Sequence, residues 1–160
     1  MKKYLVGWTI FLACFVLVGC ESGNVDNNDL STGFNGEEVV EGSETMKIKM
    51  SVNGYHLTAT LEKNAAGEAF YELVKSGLTL HLSEYGGFEK VGAIGKTLPS
   101  SDTRINTKPG DLILYASNQL SVMYGSNTWS YTKLGAIDHL DQLDLADILG
   151  RDDVTIVFSI

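Results

Sequence analysis

From Met46 onward, apolar residues fall in short alternating runs, the period of a half-buried strand. Ile48, Met50 and Val52 share one face of Met46–Val52, and Leu57, Ala59 and Leu61 share one face of Tyr55–Leu61. Asn53–Gly54 lies between them, and both residues suit the positive φ of a type I′ turn, so these runs predict a β-hairpin. The period then changes. Ala65–Lys75 places Ala66, Ala69, Phe70, Leu73 and Val74 on one helical face, with Asn64 as N-cap and Gly77 as stop. Gly67 inside this helix is expected to weaken it by up to ~1 kcal/mol relative to Ala. Leu78, Leu80 and Leu82 return to alternation, leaving His81 on the polar face.

In the second half, Lys108–Pro109–Gly110–Asp111 has Pro and Gly where a type II turn requires them. Leu112 and Leu114 then point one way, Ile113 and Tyr115 the other. Leu120, Val122 and Tyr124 alternate, Gly125–Ser126–Asn127 turns, and Trp129–Ile137 forms the next strand. Asp141 is expected to cap a short helix, Gln142–Leu149, ended by Gly150. Val154, Ile156, Phe158 and Ile160 alternate in a final strand. One run resists the pattern: Glu84 to Arg104 carries four glycines and Pro99, and reads as a loop that covers a barrel end or forms a lip over a cleft. The whole predicts a mainly β domain, a small closed barrel of about eight mostly antiparallel strands with two short helices at its ends. Closure would remove the exposed edges of so strand-rich a chain.

Charge divides the 160 residues differently. Met1–Lys2–Lys3 is basic, and Tyr4–Val18 is an apolar run shorter than the ~20 residues a spanning helix needs. It ends in Leu17–Val18–Gly19–Cys20, which resembles the lipobox of bacterial lipoproteins. That resemblance implies a signal peptide over residues 1–19, cleavage before Cys20, and acylation of Cys20 with diacylglycerol and a further chain such as palmitate, a stable membrane anchor. Position 21 is Glu rather than the Asp associated with inner-membrane retention. Residues 21–45 then hold seven acids and no base, with no apolar period, so residues 20–45 are expected to form a disordered acidic tether. The folded domain is expected over 46–160. An extracytoplasmic, lipid-anchored monomer follows from this reading.

The formal net charge is −8, and residues 46–160 carry thirteen acids against ten bases, so a nucleic-acid partner is not expected. Cys14 and Cys20 are the only cysteines, and His56, His81 and His139 are scattered, so no metal site is expected. Nucleophile-elbow, P-loop and dinucleotide motifs are absent. What remains is an aromatic and polar set: Tyr85, Phe88, Lys90, Arg104, Tyr115, Asn118, Tyr124, Trp129 and Tyr131. These residue types suit barrel packing or a ligand groove at a barrel mouth, with Lys90 and Arg104 as its cations.

MKIKMSVNG, the helix NAAGEAFYELV, Glu89–Lys90 ahead of Leu98–Pro99, Pro109–Gly110–Asp111–Leu112 and Trp129–Ile137 together resemble the bacterial cyclophilin-like domains, a family distinct from true cyclophilins. The resemblance implies an eight-stranded barrel with a helix at each end. True cyclophilins isomerise X-Pro bonds with an arginine set among Phe, Trp, Gln and His. The Phe-His-Arg signature of that centre is absent here, so no catalytic residue is assigned, and Arg104 is the candidate for the role. No cofactor is expected. Three roles follow: a tethered binding module for a peptide or small molecule, a prolyl isomerase or folding helper for exported proteins, and a structural envelope-interaction protein.

Overall fold

The computed structural model describes residues 45–140 and 144–160. The expected signal peptide, Cys20 and, Thr45 apart, the tether lie outside these residues, as does Asp141. The elements are β1 (Lys47–Val52), β2 (Tyr55–Leu61), α1 (Ala65–Lys75), β3 (Leu78–Tyr85), β4 (Glu89–Ala93), β5 (Thr103–Asn106), β6 (Asp111–Tyr115), β7 (Gln119–Met123), β8 (Thr128–Ile137), α2 (Leu145–Leu149) and β9 (Val154–Ser159).

Hydrogen bonding orders the strands β2-β1-β9-β3-β4-β7-β6-β8, and β8 pairs back onto β2. Eight antiparallel strands therefore close a barrel, and the ninth, β5, adds to the free half of β8. The predicted hairpin is present, with Val52 opposite Tyr55 and Asn53 and Gly54 at φ 48° and 81°. The β6 turn likewise has Gly110 at φ 90° and Asp111 N–H donating to the Lys108 carbonyl at 3.1 Å.

Alternation sorts each strand into a barrel interior and an outer wall. Ile48, Met50, Leu82, Leu112, Leu114, Leu120, Val122, Ile156 and Phe158 face inward and are buried together. Both helices close this core. Phe70 of α1 meets Phe158 edge to face at 5.7 Å, and α2 buries Leu145, Ile148 and Leu149. Asn64 caps α1 as predicted, its side chain accepting from Gly67 N–H at 2.8 Å. Gly67 differs from its expected role: a Cβ there would collide with the Glu62 backbone carbonyl, so the glycine lets the helix approach β2 and β8. At the opposite end, Asn53 of the first hairpin donates to the Ile148 carbonyl at 3.0 Å, tying α2 to the barrel. α2 begins at Leu145 with Asp144 as its cap, later than the sequence pattern predicts.

The run Glu84–Arg104 needs correction. It is not one covering loop: it contains β4, which joins β3 to β7 inside the barrel wall, and it leads into β5. Glycines and Pro99 mask the period, and two facts keep β4 from looking like a strand. Its inward residue is a lysine, and Gly92 stands where a Cβ would meet the His81 carbonyl of β3.

Candidate functional site

The outer wall of the barrel carries a second, smaller core. Ile113, Met123 and Tyr131 are buried on this face, with Phe88 and Ile105 packed against them. A groove of about 600 Å³ opens beside it, within the size range of ligand sites. It crosses four neighbouring strands, β4-β7-β6-β8, a width of roughly 14 Å at ~4.8 Å per strand. Tyr85 lines it from the end of β3, Gly86 and Phe88 from the turn that follows, and Glu89 and Val91 from β4. Gln119 comes from β7, Tyr115 from β6, and Asn127, Trp129 and Tyr131 from β8 and the turn before it.

The rings are held. Tyr85 and Phe88 meet edge to face at 6.1 Å, as do Tyr115 and Tyr131 at 6.0 Å, the arrangement that ring quadrupoles favour. Phe88 sits against Gly125, where a Cβ would come within 2.8 Å of its own Cβ, and its carbonyl accepts from both Tyr124 and Gly125 N–H at 2.9 Å. Tyr131 accepts from Asn127 Nδ2 at 2.9 Å. Tyr115 stands beside a turn in which Ala116 and Ser117 both take positive φ, 48° and 62°, a conformation disfavoured for residues with a Cβ. The Ile94–Leu98 segment clasps that turn: Ile94 N–H donates to the Asn118 carbonyl and Leu98 N–H to the Ser117 carbonyl. The rings nonetheless stay open to solvent, Tyr85 at 60% and Trp129 at 54% exposure. Clustering sets these exposed rings apart from the singly scattered apolar residues of an ordinary surface.

A carboxyl lies among the rings. Glu89 is 6% exposed, and neither its Oε2 nor the buried Ser121 hydroxyl makes a hydrogen bond within the protein. Burial pushes the Glu89 carboxyl up from the usual carboxylate value; nearby Ser121 pulls it down without reaching bonding geometry, and the Glu84 charge pushes it up again. Burial and the charge of Glu89 also raise Tyr131.

Tyr85, Phe88, Tyr115, Trp129 and Tyr131 of the sequence-derived set come together here, on the outer wall and not at a barrel mouth. The other four do not join them. Lys90 follows Glu89 on β4, and alternation turns it into the barrel, opposite Val122 and 0% exposed. There its ammonium lies 2.8 Å from Glu84 Oε2, donates to the Asp152 carbonyl at 2.8 Å, and stands 5.7 Å from the Tyr124 ring centroid. The contact with Glu84 is ionic more than directional, since Oε2 makes no aligned hydrogen bond. Tyr124 donates to Glu84 Oε1 at 2.5 Å, and burial followed by this bond pushes the phenol up to about 12. For Glu84, burial raises the carboxyl, but Lys90, Tyr124 and Gly87 N–H outweigh it and hold it below its usual value. A second hollow of about 450 Å³ flanks this cluster, lined by Glu84, Gly87, Tyr124 and α2-end residues including Arg151. Arg104 is exposed on β5 opposite Ser130. Its neighbours Thr103 and Ile105 pair with Tyr131 and Trp129, so alternation turns Arg104 to the far side of the ribbon from the groove. Asn118 is exposed at the β6–β7 turn.

The groove therefore has no cation in its lining and one acid that sequence reasoning had not singled out for it. Glu89, Val91 and Gln119 were legible only through the β4–β7 pairing, which sets Glu89 opposite Met123, Val91 opposite Ser121, and Ala93 opposite Gln119. The described residues contain no cluster of His, Cys, Asp and Glu suited to a metal ion.

A model of the Cyclophilin-like family matches residues 50–159. The chain belongs to this family. The match spans the barrel from β1 to β9, so it includes the groove and the interior Glu84–Lys90 pair. No curated protein and no solved structure matches the chain. Family membership accounts for the closed β-barrel with its two short helices. Within this Cyclophilin-like barrel, chemistry has to be read from the groove itself.

Proposed function

We propose that this Cyclophilin-like protein is a membrane-anchored, extracytoplasmic binding module whose ligand, a peptide or small molecule, lies in the outer-wall groove. One observation carries the binding role: a groove of about 600 Å³ with Tyr85, Tyr115 and Trp129 exposed over it. Rings held by edge-to-face contacts lose little freedom when a ligand docks, which favours binding. The basic start, apolar run and Leu17–Val18–Gly19–Cys20 support the anchor, and the acidic stretch after Cys20 would let the barrel stand away from the bilayer.

The groove offers Phe88, Gln119 and Trp129 but no arginine, and its lining supplies no donor equivalent to one for a twisting X-Pro amide. Ligand-observed NMR on the full chain, with short peptides including Ala-Pro and a panel of small organic probes, tests the reading. Saturation transfer that disappears in both Tyr115→Ala and Trp129→Ala is expected, with cis/trans exchange of the Ala-Pro peptide unchanged. Faster exchange that is lost in Arg104→Ala would establish an isomerase instead. For the anchor, Cys20→Ala should move the chain from the membrane fraction to the soluble one; retention in the membrane would refute lipidation as the tether.

A further inference from the structure

We propose that the groove selects an organic cation bearing N–H groups, an alkylammonium or guanidinium head, with Glu89 as its counter-ion and the surrounding rings as its walls. This rests on the binding role just given and names the ligand chemistry of the same groove.

The argument begins with Glu89. A carboxyl at 6% exposure is normally paired or hydrogen-bonded, because an unpartnered buried charge is costly. Among the described residues no cation is paired with it, and its Oε2 and the nearby Ser121 hydroxyl both lack a hydrogen-bond partner. The lysine beside it in sequence is already engaged with Glu84 on the other face of the strand. Glu84 itself adds negative charge near Glu89. The site is therefore short of positive charge, and the neighbouring donor, the Ser121 hydroxyl, is out of line for a full hydrogen bond to the carboxyl.

The walls narrow the class. Tyr85, Phe88, Tyr115, Trp129 and Tyr131 surround this carboxyl in one groove, and aromatic faces attract cations through their quadrupoles. An anion would meet Glu89 of the same sign. A neutral apolar ligand would cover the rings but leave the carboxyl unpaired. A metal ion would find one carboxylate and no second charged ligand, consistent with the lack of any metal-type cluster among the described residues. A quaternary ammonium satisfies the rings and the charge but brings no N–H for the Glu89 carboxyl. An ammonium or guanidinium satisfies all three.

The test uses the full chain in nonionic detergent with Trp8→Phe, so that Trp129 is the sole indole whether or not residues 1–19 are removed. Its fluorescence is titrated with n-butylammonium, methylguanidinium, tetramethylammonium, the neutral 1-butanol, and the peptide Ac-Ala-Lys-Ala-NH2. Saturable responses to butylammonium or methylguanidinium are expected, at least ten-fold tighter than to butanol and tighter than to tetramethylammonium. Glu89→Gln should weaken them ten-fold or more. Tyr85→Ala, at an exposed position whose loss spares the core, should weaken them several-fold and serves as a second variant. If the lysine peptide binds ten-fold tighter than butylammonium, the cation is a polypeptide side chain; if not, it is a free amine. Both results support the assignment. Equal cation affinity in Glu89→Gln, or butanol binding as tightly as the cations, overturns the cation assignment while leaving a binding groove. No saturable response to any probe overturns both.

Discussion

The turn carrying Tyr85 and Phe88 is held from inside the barrel, and this makes the Glu84–Lys90 pair a sharp place to perturb. Lys90 is wholly buried, whereas the Glu84 side chain keeps 30% of its surface exposed. Removing one partner of a buried pair costs ~3–5 kcal/mol, but the two removals are not equivalent here. Glu84→Gln leaves an ammonium inside the barrel with the Asp152 carbonyl and the Tyr124 ring as its remaining neighbours, so the full ~3–5 kcal/mol is expected. Lys90→Met leaves a carboxylate that still reaches water, the Tyr124 hydroxyl and Gly87 N–H at 3.0 Å, so about half that loss is expected. A folded domain of about 115 residues has an unfolding entropy near ~0.24 kcal/mol/K, or about 4 °C per kcal/mol. Thermal unfolding of the full chain at pH 7 should then fall by roughly 12–20 °C for Glu84→Gln and roughly 8 °C for Lys90→Met. The double variant has no stranded charge and should recover most of the loss. Because the Glu84 carboxyl lies below its usual 4.5, its contribution is complete above that value and is lost as pH falls through its lowered folded value. The gap between parent and Glu84→Gln should therefore close in acid. Lys90→Met proving the worse single variant, or the double variant being no better than Glu84→Gln, would refute this account of the interior charge.

Glu89 has the opposite linkage. Its folded value is raised above 4.5, so the folded state holds more protons than the unfolded one and stability falls as pH rises through that window, with Glu84, Tyr124 and Tyr131 sharing the local field. Urea midpoints at several pH values should show Glu89→Gln flattening this slope and exceeding the parent at neutral pH; a slope unchanged by the substitution would contradict it. Gly67→Ala should destabilise the fold by about 1–3 kcal/mol in chemical denaturation, despite the better helix propensity of alanine, because the new Cβ meets the rigid Glu62 carbonyl. A gain in stability would show that α1 can move away at no cost.

Much of the barrel was legible along the chain because strand alternation and turn chemistry are local. Leu112 and Leu114 against Ile113 and Tyr115 separate interior from outer wall by period alone, and Asn53–Gly54 specifies its hairpin by backbone sterics. The tyrosines and Trp129 of the groove were visible as residues too large and too polar-tipped to belong wholly to the core. The contribution of β4 was not. Glu89 and Lys90 are adjacent charges in a glycine-broken run, and alternation says that they face opposite ways without saying which way is in. That choice belongs to the closed sheet: pairing β4 between β3 and β7 puts Lys90 against Glu84 and leaves Glu89 among the outer rings. Likewise β5 exists as a strand because the free half of β8 needs a partner for its backbone groups, and that pairing turns Arg104 away from Trp129. Sequence determines which residues can alternate, since that depends on neighbours along the chain. Whether a charge is a buried counter-ion or part of the floor of an outer groove is decided by strands brought together from distant parts of the chain, because only barrel closure defines an inside.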